Sequence, residues 1–143
     1  MQTQAKLAAL FSQHTDELLN RYTRAFDAAG MDRTNDGLII HSGCQHYYAG
    51  DDRAVPFQAF GHFLNRVPRN YPDQLILILP GKRPELLQFI PPDFWHDQRM
   101  NLESWWADQF DIKSVASFAE LASELGDLKF HYMGGELHRL SEQ

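Results

Sequence analysis

Cysteine is almost absent. Cys44 stands alone, so no internal disulfide can form and a disulfide-stapled secreted fold is excluded. A reducing compartment is expected. Basic charge is also scarce: 13 Lys+Arg face 19 Asp+Glu, a net charge of −6 with the seven histidines neutral. A general nucleic-acid binder needs a net basic surface, so no nucleic-acid partner is expected. Long apolar runs are missing too. The longest aliphatic run, Leu75-Ile76-Leu77-Ile78-Leu79, has five residues, where a bilayer takes about 20. The first twenty residues carry Gln2, Gln4, Lys6, Gln13, His14, Asp16 and Glu17 and no apolar stretch, so no signal peptide is expected. These absences predict a soluble, cytoplasmic product with no membrane partner.

Familiar catalytic patterns are missing as well. There is no C-x-x-C, H-E-x-x-H, G-x-G-x-x-G or G-x-S-x-G, and no two histidines stand four apart. Gly81-Lys82 lacks the upstream glycine of a phosphate loop and runs into Arg83. Asp93 and His96 stand three apart, a spacing that would let them touch, most simply as a structural pair. Cys44 has no motif around it, so a packed or idle thiol is the default. A chain without a self-sufficient catalytic set reads as a fragment or accessory domain.

What is present is a core. Of 143 residues, 43% are hydrophobic and 13% aromatic, enough for one folded domain over residues 1–143. Residues 5–29 predict one amphipathic helix. Leu7, Leu10, Phe11, Leu18, Tyr22, Phe26 and Ala29 recur at helical spacing, and Gly30 stops it. His14 falls near that stripe as a partly buried histidine. Short apolar runs at 37–41, 75–79, 86–90, 112–115 and 128–133 predict five strands. The second and third form a hairpin across Pro80–Pro84. Residues 43–74 read as a large ordered loop with one helical turn near 57–64, and residues 93–109 as a turn and a short helix. Ser117 caps a helix over 118–125, with Glu120 placed for a capping box. The alternation predicts an α/β fold, a mixed β-sheet of about five strands flanked by helices.

Charge is uneven. From Arg53 to Arg83 stand five bases and the single acid Asp73; from Asp97 to Asp127 stand seven acids and two bases. That pattern is either two solvated faces or a polarised surface for a partner. Asp51-Asp52, in a Gly-flanked loop, reads either as a solvated turn or as a carboxylate presented to a cationic ligand.

Three stretches together resemble a known family: His41-Ser42-Gly43 followed by Asp51-Asp52 and Pro56-Phe57; Pro92-Asp93-Phe94-Trp95-His96; and Trp106-Ala107-Asp108-Gln109-Phe110-Asp111. They resemble the amino-terminal domain of bacterial Xaa-Pro dipeptidases (prolidases), the branch that includes organophosphorus acid anhydrolases, over nearly the whole chain. The resemblance implies a creatinase/prolidase amino-terminal fold with a ribonuclease H-like motif. It implies a homodimer and a carboxy-terminal pita-bread domain holding two divalent ions, usually Mn(2+). It implies an Xaa-Pro dipeptide as substrate of the parent enzyme. The metal ligands would lie in that second domain, so this chain alone would hold no cofactor and be inactive. The loop would reach the partner subunit's site, where Asp52, with Asp51 beside it, would hold the substrate ammonium.

Three departures from the family line the same loop. Phe60-Gly61-His62-Phe63 replaces an Asn-Pro before the aromatic, Arg66 replaces a usual tryptophan, and Ala54-Val55 replace two aromatics. Arg53, Arg66 and His62 therefore become candidate loop contacts, the arginines for a substrate carboxylate or an acidic partner domain. Trp95 and His96 read as structural. The rival readings are a non-catalytic protein-binding module of the same fold and the first domain of a Xaa-Pro aminopeptidase-like or creatinase-type hydrolase.

Overall fold

The structure, a computed structural model, describes residues 2–90, 92 and 99–134. The elements follow the order α1 (Gln2–Ala28), β1 (Asp36–His41), α2 (Gly61–Leu64), β2 (Gln74–Ile78), β3 (Glu85–Phe89), α3 (Ser104–Ala107), β4 (Asp111–Val115), α4 (Phe118–Leu125) and β5 (Lys129–Gly134). The expected α/β class and the five strands are both present. The five strands form one mixed sheet in the order β4-β3-β2-β1-β5. β2 runs antiparallel to β1 and β3, while β1 pairs parallel with β5 and β3 with β4. β2 alone therefore runs against the other four. The β2–β3 hairpin is as expected. The sequence left open that β1 joins β2 in the centre, and that α4 carries the chain from one sheet edge to the other.

Side chains of a strand alternate between faces, and here both faces are covered. Leu38, Ile40, Ile76, Ile78 and Leu86 pack on one side with Phe26, Phe63, Val67, Trp106 and Phe110 from the helices and the loop. Ile39, Leu75, Leu77 and Leu87 face the other side with Val115 and Leu121. Burial on two faces explains why these strands read as continuous apolar runs rather than alternating ones.

α1 is longer than the sheet beneath it. Its 27 residues span about 40 Å, against roughly 17–20 Å for strands of this length. Phe26 is buried and Phe11, Leu19 and Tyr22 pack against the core, with Phe11 edge-on to Trp105 of α3. Leu7 and Leu10 lie beyond this support and stay exposed, 42% and 53%. The amphipathic stripe is thus only partly used. His14 is exposed rather than partly buried; its Nε2 lies 2.6 Å from the Asn65 carbonyl.

The cap of α4 forms with a shift. Ser117 Oγ accepts the Glu120 N–H at 3.2 Å, but the Glu120 carboxylate accepts from Ala116 N–H, at 2.7 Å, instead of from the Ser117 N–H. Two backbone donors are still satisfied, one residue earlier than in the usual box. Ser117→Ala should lower stability by about 1 kcal/mol, read as a lower urea midpoint with an unchanged m-value.

Candidate functional site

The loop after β1 is a tongue tied down at its root. Ser42 and Gln74 continue the β1–β2 pairing: Ser42 N–H donates to the Gln74 carbonyl at 2.9 Å, and Gln74 N–H donates to Ser42 Oγ at 3.0 Å. Asp73 N–H donates to the Gly43 carbonyl and Phe60 N–H to the Ser42 carbonyl. On the far side, Asn70 accepts the Ala59 N–H and donates to the Phe57 carbonyl, both at 2.7 Å.

Above this root, residues 45–55 double back on themselves. Val55 N–H donates to the His46 carbonyl, Gln45 Nε2 donates to the Val55 carbonyl, and Tyr47 bridges Ala54. Tyr48 N–H then donates to the Arg53 carbonyl and Asp51 N–H to the Tyr48 carbonyl, which closes the tip. The tip carries both candidate carboxylates, and the structure treats them differently. Asp51 accepts from Arg53 N–H at 3.0 Å and from Arg53 Nε at 2.6 Å. These bonds from the Arg53 side chain and backbone hold its carboxyl below the usual carboxylate range. Asp52 is exposed, and among the described residues its carboxylate meets no donor. Tyr47 and Tyr48 flank the pair at 57% and 50% exposure, with the Arg53 guanidinium 5.8 Å from the Tyr48 ring.

The other candidate loop residues divide. His62 is exposed at the start of α2, its ring 5.3 Å from that of Phe60. Arg66 lies beneath the loop instead of on it. Its side chain is fully buried, and none of its three guanidinium nitrogens has a hydrogen-bond partner among the described residues. It sits between the rings of Tyr22 and Phe110, at 5.7 and 5.8 Å. Burial pulls its pKa down, against the opposing pull of Tyr22. The basic and acidic segments meet each other, through ion pairs of Arg69 with Glu103 and of Arg83 with Asp111. Two of the five bases are therefore paired with acids of the later segment.

Under the tongue opens a cleft of about 370 Å³, lined by Gly43, Cys44, His46, Pro56, Phe57 and Phe60 among others. Beside it stands a group, buried at His41 and Cys44 and half-buried at Asp73, that sequence reasoning missed. His41, Cys44 and Asp73 bring their donor atoms within 4.8 Å of one another. His41 Nε2 lies 4.0 Å from Asp73 Oδ1, and His41 Nδ1 lies 2.9 Å from the Tyr132 hydroxyl. Burial lowers the His41 pKa, with Asp73 pulling the other way. Burial pushes Tyr132 up to about 12, with Cys44 adding to the rise. The one local signal in the sequence was the three-residue spacing of His41 and Cys44 at a strand end; Asp73 arrives only through the β1–β2 pairing.

A family model described as "Xaa-Pro dipeptidase, N-terminal domain" matches residues 9–143. The chain belongs to that family. A curated Xaa-Pro dipeptidase of Xanthomonas campestris pv. campestris (strain B100) is 35% identical over 114 residues, 79% of this chain and 25% of its own. That of Marinobacter nauticus is 37% identical over 102 residues, 71% of this chain and 23% of its own. That of Stenotrophomonas maltophilia (strain R551-3) is 35% identical over 112 residues, 75% and 24%. The chain thus spans about a quarter of the length of the Xaa-Pro dipeptidases it matches. Of the family-like stretch Pro92–His96, Asp93, Phe94, Trp95 and His96 lie outside the described residues. Among those described, no helix is long and apolar enough to cross a membrane.

Two outcomes follow. Desolvating an ionised guanidinium costs several kcal/mol, while two ring contacts return about 1–2 kcal/mol each. Arg66→Met, which keeps the volume and removes the charge, should therefore stabilise the domain by about 1–3 kcal/mol in urea unfolding. For His41, the folded-state pKa lies below its ordinary 6.5. Between the two values the unfolded chain binds a proton that the folded chain refuses, so stability rises with pH there. Its contribution is complete above the ordinary value and falls as pH drops through it. In metal-free buffer, His41→Gln should lessen the fall in urea midpoint between about pH 7.5 and about pH 5.5.

Proposed function

We propose that this chain is the first domain of a dinuclear-metal Xaa-Pro dipeptidase, a hydrolase whose dimer contacts and substrate site it helps to complete. Membership of the dipeptidase family supports the coarse reading. The observation that carries the finer one is the division of labour at the tip: Arg53 occupies Asp51, which leaves the exposed Asp52 carboxylate for another cation. A dipeptidase must recognise a free amino group and refuse longer chains. A carboxylate on a projecting tongue does the first by charge-assisted hydrogen bonding, and a tongue closing that end of the site does the second by exclusion. Tyr47 and Tyr48 supply exposed aromatic surface beside it, of the kind that anchors interfaces. The tongue would act in the partner subunit's site of a cytoplasmic homodimer.

The two divalent ions of this reading, manganese by resemblance, belong to the parent's second domain. Among the described residues, the one grouping of three possible ligands is His41, Cys44 and Asp73. A thiol, an imidazole and one carboxylate do not suit a pair of hard ions that prefer oxygen donors. The isolated chain is accordingly inactive in this proposal.

The test is Asp52→Ala in the full-length enzyme. Losing a charge-assisted contact of about 1.5–3 kcal/mol should lower kcat/KM for Xaa-Pro dipeptides about 10- to 100-fold. It should also narrow the preference for free over N-acetylated substrate. Unchanged kcat/KM with unchanged preference would remove Asp52 from the site.

A further inference from the structure

We propose that His41, Cys44 and Asp73 form a site for a single zinc-class divalent ion at the root of the tongue. The argument for this site does not depend on the role of Asp52.

Three observations carry it. The first is placement. The donor atoms of one imidazole, one thiol and one carboxylate lie within 4.8 Å of each other, with His41 and Cys44 buried at 3% and 8% exposure. Zinc binds nitrogen at about 2.0–2.1 Å, sulfur at about 2.3 Å and carboxylate oxygen at about 2.0–2.2 Å. Tetrahedral ligands are then roughly 3.3–3.7 Å apart. The 4.0 Å between His41 Nε2 and Asp73 Oδ1 and the widest pair both close with side-chain shifts of about an ångström. A sulfur-nitrogen-oxygen set selects zinc and cobalt over magnesium and calcium, which gather six or more oxygens.

The second observation is orientation. The Tyr132 hydroxyl sits 2.9 Å from His41 Nδ1. It can accept the Nδ1 proton and leave the Nε2 lone pair aimed toward Asp73, the outer-sphere arrangement that metal-binding histidines commonly have. Gly134 leaves room for that hydroxyl; a Cβ there would stand 3.0 Å from it and 2.8 Å from the His41 carbonyl oxygen.

The third is the backbone. Asp73 is the one non-glycine among the described residues with positive φ, at 57°. Its N–H is fixed to the Gly43 carbonyl. That conformation costs an ordinary residue roughly 1–2 kcal/mol, less for aspartate, and it is held by the same stitches that hold the tongue. Cys44 lines the cleft, which provides the ion's entry and room for a water as fourth ligand. A bound ion would join the end of β1, the first tongue residues and the start of β2, and so fix the direction in which the tongue leaves the sheet.

The experiment titrates the chelator-treated 143-residue chain with Co(2+), then with Zn(2+). The site predicts one ion per chain and a near-ultraviolet thiolate-to-cobalt charge-transfer band. Zn(2+) should displace the cobalt, and Cys44→Ser should abolish the band. Asp73→Asn and Tyr132→Phe, both near-isosteric, should each weaken Co(2+) binding about tenfold or more, and they carry the test if Cys44→Ser does not fold. Absence of the band, or wild-type affinity in both Asp73→Asn and Tyr132→Phe, would overturn the proposal.

Discussion

The antiparallel pairing of β1 with β2, prolonged past the strands by Ser42 and Gln74, is the constraint on which the rest depends. It sets the centre of the sheet and places the apolar runs where helices and loop can cover both faces. It also decides where the tongue begins. Because Ser42 is stitched to Gln74 and Gly43 to Asp73, a segment of mostly exposed residues leaves the sheet from a fixed platform. A projecting loop is useful for recognition only if its base is rigid. Here that rigidity comes from backbone hydrogen bonds and two side-chain amides, Asn70 and Gln45, rather than from apolar burial at the tip.

Electrostatics divide along the same line. Away from the tip, charge is enclosed or paired: Arg66 lies against two aromatic rings, and Arg69 and Arg83 meet acids of the later segment. At the tip, Asp51 and Arg53 satisfy each other, while among the described residues the Asp52 carboxylate meets no donor. Net charge therefore says little about what the surface offers, since opposite charges far apart in sequence cancel in space.

Where burial imposes a periodicity, the sequence was easy to read. Helix α1, the five strands and the Ser117 cap followed from spacing alone, because each is a local pattern repeated over several residues. Length mismatch was not visible, so Leu7 and Leu10 belonged to the apolar stripe although the sheet does not reach them. Strand order was not visible either, because it depends on which edges meet. Asp51 and Asp52 are identical neighbours, and the Arg53 side chain and backbone N–H, both directed at Asp51, separate them. Asp73 was merely the one acid in a basic stretch; its position beside His41 and Cys44 depends on a register between strands about thirty residues apart. The family resemblance pointed to the loop, yet Arg66 could not be placed above or below it without the packing of Tyr22 and Phe110.

β5, the last described strand, pairs with β1, the first, in parallel from Asp36↔Lys129 to His41↔Gly134. During synthesis, then, one side of β1 stays unpaired until nearly all of this segment has emerged. Long-range parallel pairing is slow, and an open strand edge invites pairing with other chains. Pairing with β5 covers the open edge of β1. Lys129 and His131, exposed on β5, then make the new outer edge polar.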